Sequence, residues 1–228
     1  MNLTLQTISS TVISEILCKT NFDGVVLDTE HGCFNNENLY SCIQVITSMN
    51  KKCFVRVTDL NKRLIRMCLD AGVDGLIFST VENINNAEEI LKYCKYPRHG
   101  GNRGMGLVRQ NSWGDDILDD HHPILIAQIE TKKGVDNIDK LMEFGFDYFV
   151  LGPYDLSSDL NCPTDWENEK YLLHVDRFHD TIPQEKIGMF LPTVNQVMKS
   201  RNEIINHSLL ISGMDTDFLR TGIGECFK

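Results

Sequence analysis

The sequence lacks the features that mark a membrane or secreted protein. No stretch approaches the ~18 consecutive apolar residues that a membrane-spanning helix needs. The N-terminal segment MNLTLQTISS has no basic stretch followed by an apolar one, so it does not resemble a signal peptide. We therefore expect a cytoplasmic protein that does not enter a membrane.

Basic residues are scarce relative to acidic ones. The 228 residues include 22 Lys and Arg against 32 Asp and Glu, which gives a formal net charge of −10. Proteins that bind nucleic acids usually carry a basic face, so we predict no nucleic-acid partner. A few arginines gathered in one site can still bind a small anionic substrate.

Closely paired cysteines are also missing. None of the eight cysteines forms a C-x-x-C pair, and several lie in apolar segments, as Cys53 does before Phe54. This pattern predicts reduced, buried thiols rather than disulfides. Cys33 has no base among its sequence neighbours, which argues against a catalytic thiol.

Short apolar runs alternate with segments of helical spacing along the whole chain. Eight such runs followed by helices are typical of a (β/α)8 TIM barrel, which we predict as a single domain over residues 1–228. A doubly wound open sheet is the alternative. The predicted strands are Leu3–Gln6, Val25–Asp28, Cys53–Val57, Gly75–Ser79, Ile124–Ile129, Tyr148–Leu151, Ile187–Phe190 and Ser208–Ile211.

Polar residues cluster where several predicted strands end, which is the end of a barrel that carries catalytic groups. Arg56 lies between two valines, so strand alternation points its side chain away from them, and a buried guanidinium needs an anionic partner. The polar residues at these strand ends are Asp28, Glu30, His31, Arg56, Gln128, Glu130 and Asp155.

Two of these strand ends suggest a metal site. Gln128 and Glu130 are two residues apart and project from one face of a strand, towards Asp155 on the next strand. Two carboxylates with a carboxamide suit a hard divalent cation such as Mg²⁺ or Mn²⁺. In the alternative interpretation, Glu130 and Asp155 only cap the helices that follow them.

The stretch LDTEH, residues 27–31, suggests an acid/base pair. Asp28 is close enough in sequence to hydrogen-bond His31, and a carboxylate that holds an imidazole makes it a better general base. The alternative is a loop histidine satisfied by an aspartate in a turn. Glu30 has no predicted role.

The long irregular segment between residues 96 and 123 contains a glycine-rich stretch with Arg103. It lacks the lysine and the strand-then-helix context of a phosphate-binding loop. We expect either a loop that closes over an anionic substrate or a merely flexible one. Lys132 and Lys133 are predicted to open a helix, which argues against a Schiff-base mechanism.

Taken together, these segments resemble the HpcH/HpaI aldolase family, metal-dependent class II aldolases of the phosphoenolpyruvate/pyruvate barrel superfamily. The resemblance extends over nearly the whole chain and is weakest in the last segment. The matching segments are FDGVVLDTEHG (22–32), FVRVTD (54–59), LDAGVDGLIFSTVEN (69–83), YPRHGGNRGMG (96–106), IAQIET (126–131), LGPYDLSSDL (151–160) and SGMDTDFL (212–219).

The resemblance implies a role for each matching position. Glu130 and Asp155 would bind a divalent metal ion, Mg²⁺, Mn²⁺ or Co²⁺. Arg56 would bind the pyruvyl oxygen and stabilise the enolate, and His31, oriented by Asp28, would act with a water as the acid/base.

Further positions belong to the substrate pocket. Gln128 would line the pyruvate pocket, and the backbone at Tyr154 and Asp155 would hold the substrate carboxylate. Asp70 matches a residue that lies near the site across a subunit contact in relatives.

The implied reaction is the reversible cleavage of a 4-hydroxy-2-oxo acid into pyruvate and an aldehyde, in a homo-oligomer between dimer and hexamer. Oxaloacetate decarboxylation, a citrate-forming condensation and a barrel that binds a keto acid without turnover remain as alternatives. Thr29 and Tyr154 replace smaller residues common in the family, and their bulk would narrow the mouth of the site.

Overall fold

The computed structural model describes residues 1–117, 121–199 and 207–227. Eight parallel strands follow one another around a closed barrel, which confirms the predicted (β/α)8 fold. Each predicted strand is present; two of them match their predicted bounds, and the ends of the others differ by at most three residues. The strands are β1 Asn2–Gln6, β2 Gly24–Asp28, β3 Lys52–Val57, β4 Gly75–Phe78, β5 Ile124–Ile129, β6 Tyr148–Leu151, β7 Ile187–Leu191 and β8 Leu209–Met214.

Helices connect the strands and cover the outside of the barrel. Three short 3₁₀ segments lie at Pro97–His99, Arg109–Gly114 and Gln184–Lys186. The helices are α1 Thr11–Cys18, α2 Asn36–Ser48, α3 Lys62–Ala71, α4 Ile84–Cys94, α5 Lys132–Asp136, α6 Ile138–Leu141, α7 Pro153–Asp159, α8 Glu169–Thr181, α9 Val194–Lys199 and α10 Asp215–Cys226.

The largest deviation from the predicted strand ends is at β8, which continues to Met214 instead of stopping at Ile211. Ser212 and Gly213 interrupt the apolar pattern, so periodicity does not reveal the extension. Gly213 has φ of +72°, and the pairing of β8 with β1 shifts register there. Glycine suits this position because it has no Cβ and adopts the left-handed conformation without a steric cost.

The strands divide the buried side chains into two clusters. One lies between the strands and the helices, and it contains Val55 and Val57. The other fills the barrel interior. Because side chains alternate along a strand, the interior residues of β2, β3 and β5 are each followed two positions later by a polar one. These pairs are Val26 and Asp28, Phe54 and Arg56, and Ile126 and Gln128.

Asp215 closes the barrel where the last strand meets the first. Its carboxylate, which is 3% exposed, accepts hydrogen bonds from the backbone N–H of Thr7 at 3.0 Å and of Ile8 at 2.8 Å. The Thr7 hydroxyl donates to the same group at 2.8 Å. Asp215 therefore fastens the end of β8 to the residues that follow β1.

The long segment between α4 and β5, of which residues 95–117 and 121–123 are described, lies at the end of the barrel where strands begin. It runs from the last turn of α4 to the start of β5, and Arg109 within it donates to the Ala71 carbonyl and to the Thr47 hydroxyl, both at 2.7 Å. Ala71 and Thr47 lie in the last turns of α3 and α2. The segment is thus opposite the predicted site.

The cysteines agree with the prediction of reduced thiols. All eight are free, and only Cys33 and Cys226 are exposed. Burial raises the pKa of Cys94 to about 12 against the small opposing effect of nearby Arg103. In the parts of the chain described above, no helix combines the length and the apolar character needed to cross a membrane.

The barrel interior makes a prediction about stability. Phe54 is fully buried there, and its ring lies against Gly75, where an added Cβ would come within 2.5 Å of it. We expect Phe54→Ala to lower the free energy of unfolding by about 3–5 kcal/mol in urea titrations, because it leaves a cavity. Phe227→Ala, at a side chain 86% exposed, is the control and should change it by less than about 0.5 kcal/mol. Equal effects of the two variants would contradict this packing.

Candidate active site

The centre of the site is an ion pair between neighbouring strands. Asp28 and Arg56 are directly paired in the register of β2 and β3. The Arg56 Nε donates to Asp28 Oδ1 at 2.9 Å, and its Nη2 donates to Oδ2 at 2.6 Å. Both residues are buried, at 5% and 0% exposure. Arg56 thus has the anionic partner that its place between two valines requires.

Other groups surround the Arg56 guanidinium. Its Nη1 lies 3.1 Å from Glu30 Oε2 and 3.5 Å from Gln128 Oε1, and its Cζ lies 5.6 Å from the centre of the Phe190 ring. Burial alone lowers the pKa of Arg56, but its hydrogen bond and charge interaction with Asp28 outweigh that effect and raise the pKa. The guanidinium is therefore a permanent positive charge in the barrel mouth.

The prediction for Asp28 and His31 differs from the structure in one respect. Asp28 Oδ1 accepts hydrogen bonds from the backbone N–H groups of Glu30 at 3.0 Å and His31 at 3.4 Å, while Arg56 takes both of its oxygens. Asp28 therefore holds the turn that carries His31 and does not orient the imidazole directly. The His31 side chain is exposed and lines the same cavity as Arg56.

Glu130 is buried just beyond the end of β5, with 3% exposure. Its Oε1 accepts hydrogen bonds from the backbone N–H and the hydroxyl of Thr80, at 2.6 and 2.8 Å. Gln128 Nε2 donates to its Oε2. The cap of α5 is Thr131, whose hydroxyl accepts from the Gly134 N–H at 3.1 Å. The helix-capping interpretation of Glu130 is therefore wrong.

Asp155 lies in the first turn of α7, beyond the N-cap position. That position belongs to Gly152, and no side chain caps the helix there. The Asp155 carboxylate instead lines a cavity of about 280 Å³ together with Glu30 and Glu130. The structure thus brings three carboxylates from three different strand ends to one place.

The electrostatics of this cluster follow from its composition. Burial raises the pKa of Glu130, the hydrogen bonds from Thr80 and Gln128 lower it, and the negative charges of Glu30 and Asp155 raise it. The net effect is a raised pKa. Glu30 and Asp155 thus repel the charge on Glu130, and a bound cation would relieve that repulsion.

The residues present fit a divalent cation. Gly152 leaves room for the Glu130 side chain itself, because an added Cβ there would lie 2.6 Å from Glu130 Oε2. Glu30 Oε2 is buried and accepts no hydrogen bond, although it lies near Arg56. Oxygen ligands of this kind suit Mg²⁺ or Mn²⁺.

The protein alone does not complete such a site. Within residues 1–117, 121–199 and 207–227, no three His, Cys, Asp or Glu side chains are grouped closely enough to hold a metal ion by themselves. Mg²⁺ characteristically keeps several waters and takes only one or two protein carboxylates, with substrate filling other positions. Glu130 and Asp155 match that pattern.

A second cavity, of about 240 Å³, adjoins the first and contains His31, Arg56 and Gln128. Asp155 lines both cavities, so they share a wall. Apolar side chains form the rest of the second cavity, and Tyr154, 45% exposed, stands at its rim. No lysine is among the described residues that line either cavity. The apolar lining residues are Leu5, Pro153, Phe190 and Pro192.

Asp70 and Arg103 are not brought to this site within one chain. Arg103 Nη2 donates to Asp70 Oδ1 at 3.2 Å beside the last turn of α3, at the end of the barrel where strands begin. Arg103 is 2% exposed, and its guanidinium lies 4.6 Å from the Tyr96 ring centre. A loop that closes over the substrate of its own barrel is therefore ruled out for Arg103.

The sequence alone assigns no role to two residues of the site. One is Glu30, which lies beside Arg56 and lines the cavity with Glu130 and Asp155. The other is Thr80. Catalytic groups of barrels follow the ends of the strands, and Ser79 and Thr80 are polar residues that directly follow the apolar run of β4. This pattern points to both residues.

The raised pKa of Glu130 predicts how stability depends on pH. Between the pKa of the unfolded chain and the pKa of the folded protein, Glu130 is protonated in the folded state and ionised in the unfolded state. The free energy of unfolding that this difference contributes is fully present below about pH 4.3 and is lost as the pH rises through the folded pKa. The side chain introduced by Glu130→Gln carries no charge, so this variant does not lose that stability as the pH rises. In EDTA we expect it to melt above the wild type at pH 8, by roughly 2–4 °C per kcal/mol of repulsion relieved, with no advantage near pH 4.

Thermal melts followed by circular dichroism between pH 4 and 8 check this expectation. Glu143→Gln, at an exposed helix-end position, is the matched control and should follow the wild-type curve. Parallel curves for wild type and Glu130→Gln would show that the carboxylate cluster does not destabilise the protein.

Comparison with known proteins places this geometry in a family. A family model described as HpcH/HpaI aldolase/citrate lyase matches residues 7–216. A 2-keto-3-deoxy-L-rhamnonate aldolase from Klebsiella pneumoniae is 28% identical over 163 residues, which cover 69% of this chain and 61% of that protein. The chain thus spans about three fifths of the length of the curated relatives it matches.

Solved structures show the same fold. An HpcH/HpaI aldolase/citrate lyase family protein from Burkholderia cenocepacia superposes with a TM-score of 0.86 at 20% identity, covering 99% of this chain and 92% of that one. The citrate synthase SbnG superposes with a TM-score of 0.84 at 24% identity, covering 99% and 90%. With the family model matching all but the ends of the sequence, the chain belongs to the HpcH/HpaI aldolase/citrate lyase family.

Proposed function

We propose that this protein is a divalent-metal-dependent class II aldolase, a carbon–carbon lyase that reversibly cleaves a 4-hydroxy-2-oxo acid into pyruvate and an aldehyde. The observation that carries the proposal is the pairing of opposite charges in the barrel mouth. Buried Arg56 lies beside a cluster of carboxylates whose mutual repulsion a cation would relieve. Enolate chemistry needs both positive charges, one from the protein and one from a metal.

Glu130 and Asp155 would hold the metal, which we propose to be Mg²⁺, Mn²⁺ or Co²⁺. When bound, the metal polarises the 2-oxo acid and stabilises negative charge on its ketone oxygen. Membership of a family of metal-dependent aldolases and the oxygen character of both ligands support this assignment.

The residues around the second cavity would bind the 2-oxo acid. The backbone N–H groups of Tyr154 and Asp155 lie in the first turn of α7, where N–H groups have no partner within the helix and can receive the substrate carboxylate. Arg56 would donate to the ketone oxygen. Gln128, held between Arg56 and Glu130, would form the side of the pyruvate pocket.

His31 is the proposed acid/base. In cleavage it takes the proton of the C4 hydroxyl, directly or through a water, and the O–H electrons form the aldehyde carbonyl. The C3–C4 bond breaks, and its electrons form the pyruvate enolate, whose charge Arg56 stabilises. The same proton then returns to C3 and completes pyruvate.

The relatives named as 2-keto-3-deoxy-L-rhamnonate aldolases suggest where to begin the search for the substrate. That name describes a 2-oxo acid, so similar acids are the first to test. The Tyr154 ring packs edge-on against Trp166, with the ring centres 5.4 Å apart, and it narrows the cavity rim. We propose that this rim selects the aldehyde.

Pyruvate release is the direct test of the proposal. A panel of 4-hydroxy-2-oxo acids should yield pyruvate, measured by a coupled assay; EDTA should abolish this release, and Mg²⁺, Mn²⁺ or Co²⁺ should restore it. Activity that survives chelation and is trapped by borohydride would instead indicate a Schiff-base lysine and refute the proposal.

The same assays separate the alternatives. Turnover of oxaloacetate without cleavage of any hydroxy acid would indicate a decarboxylase, and condensation to citrate would match the name of one structural neighbour. Binding of Mn²⁺ and pyruvate with no turnover of any of these compounds would indicate a keto-acid-binding protein.

His31→Asn tests the proposed acid/base. The side chain is exposed and in contact with the cavity, so its loss should leave the fold intact. We expect kcat for cleavage to fall by roughly 10²–10⁴-fold, the usual contribution of general acid–base catalysis. Affinities for Mn²⁺ and pyruvate, measured by calorimetry, should stay within about twofold.

His174→Asn, in α8 and outside both cavities, is the matched control and should retain wild-type turnover. An unchanged kcat in His31→Asn would assign the proton transfer to another group.

The assembly remains a prediction. A homo-oligomer between dimer and hexamer would let Asp70 and Arg103 approach the site of a second copy, since they do not reach the site of their own chain. The cytoplasmic location is likewise proposed, not observed.

A further inference from the structure

Thr80 adopts a backbone conformation that its side chain disfavours. It follows β4 with φ of +55°, in the left-handed region. A β-branched residue there is a clear outlier, and such strain persists only where other interactions hold it. Thr80 is exposed, so packing in the core does not supply those interactions.

Hydrogen bonds to Glu130 hold Thr80 in this conformation. Its backbone N–H and its hydroxyl donate to the same oxygen, Glu130 Oε1, at 2.6 and 2.8 Å. A carboxylate oxygen has about two acceptor sites, so Thr80 occupies both of those on Oε1. The strained backbone is what lets one residue direct two donors at one oxygen.

The neighbouring residues fix Thr80 relative to the strands. The Val81 N–H donates to the Gln128 carbonyl at 3.2 Å, and the Ser79 N–H donates to the Val57 carbonyl at 3.2 Å. The segment after β4 is thus attached to both β3 and β5. Thr80 therefore has a defined position relative to Glu130.

The other oxygen of Glu130 is in a different situation. Oε2 accepts from Gln128 Nε2 and lies against Gly152, where an added Cβ would come within 2.6 Å of it. It retains one acceptor site, and Glu130 lines the same cavity as Asp155. Of the two oxygens, only Oε2 can bind a cation.

We infer that Thr80 is a positioning residue that makes Glu130 a one-oxygen ligand and thereby favours Mg²⁺ or Mn²⁺ over Ca²⁺. Mg²⁺ takes single carboxylate oxygens in an octahedral shell at 2.0–2.1 Å, whereas Ca²⁺ commonly takes both oxygens of a carboxylate. The inference rests on the proposed role of Glu130 as a metal ligand.

Three variants separate the hydroxyl from the backbone. Thr80→Val keeps the β-branched shape and removes the hydroxyl, and Thr80→Ser restores it. Thr80→Gly keeps the N–H without the strain, and so provides a hydroxyl-free protein that folds even if Thr80→Val does not. Ser79→Ala is the matched control, because its hydroxyl contacts only the Val57 carbonyl, at 3.3 Å.

Calorimetric titration of the metal-free protein with Mn²⁺ and with Ca²⁺ gives the readout. We expect Thr80→Val and Thr80→Gly to weaken Mn²⁺ binding by about tenfold, in the range found for groups that orient metal ligands. Ca²⁺ binding should weaken less or strengthen, so the preference for Mn²⁺ falls. Thr80→Ser and Ser79→Ala should keep the wild-type preference.

The outcomes distinguish this inference from the proposed function. Wild-type binding of Mn²⁺ that Glu130→Gln abolishes, with an unchanged preference in Thr80→Val and Thr80→Gly, would overturn the inference alone. Equal weakening of Mn²⁺ and Ca²⁺ would also overturn it, since a general loss of structure has that effect. Wild-type protein that binds neither ion would overturn the metal assignment itself.

Discussion

The site depends on the buried ion pair between Asp28 and Arg56. Removing two charges from water is costly, and only close, well-aligned hydrogen bonds offset that cost. The register of β2 and β3 provides them by placing the two residues side by side. The pair then organises its surroundings, because Asp28 also holds the turn of Glu30 and His31, and Arg56 reaches Gln128.

That pair leaves an imbalance of charge beside it. Asp28 and Glu30 both lie against Arg56, so the charges of Glu130 and Asp155 have little local compensation, and burial raises the pKa of Glu130. Proteins accept such repulsion where a ligand relieves it, which is why functional sites collect groups with shifted pKa values. Thr80 directs both of its donors at one oxygen of Glu130 and leaves the other oxygen to Gln128.

The two ends of the barrel serve different purposes. Strand ends carry the charged groups, and the long segment after α4 packs against the opposite end through Arg103 and Arg109. A motif that reads in sequence as a loop over a substrate therefore lies far from the mouth of its own barrel. The connection explains this: the segment leads from the last turn of a helix to the first residue of a strand.

The sequence by itself determined the barrel, its eight strands and the polar residues at their ends, since alternation and strand-end chemistry are local patterns. It could not determine which carboxylate forms an ion pair with which positively charged group. The partner of Asp28 is Arg56 rather than the nearby imidazole, because strand register brings residues 28 positions apart into contact. Glu30 and Thr80 likewise reach the site through contacts with residues that are distant in the sequence. The bond from Thr80 to Glu130 joins residues 50 positions apart, and only the closed barrel brings them together.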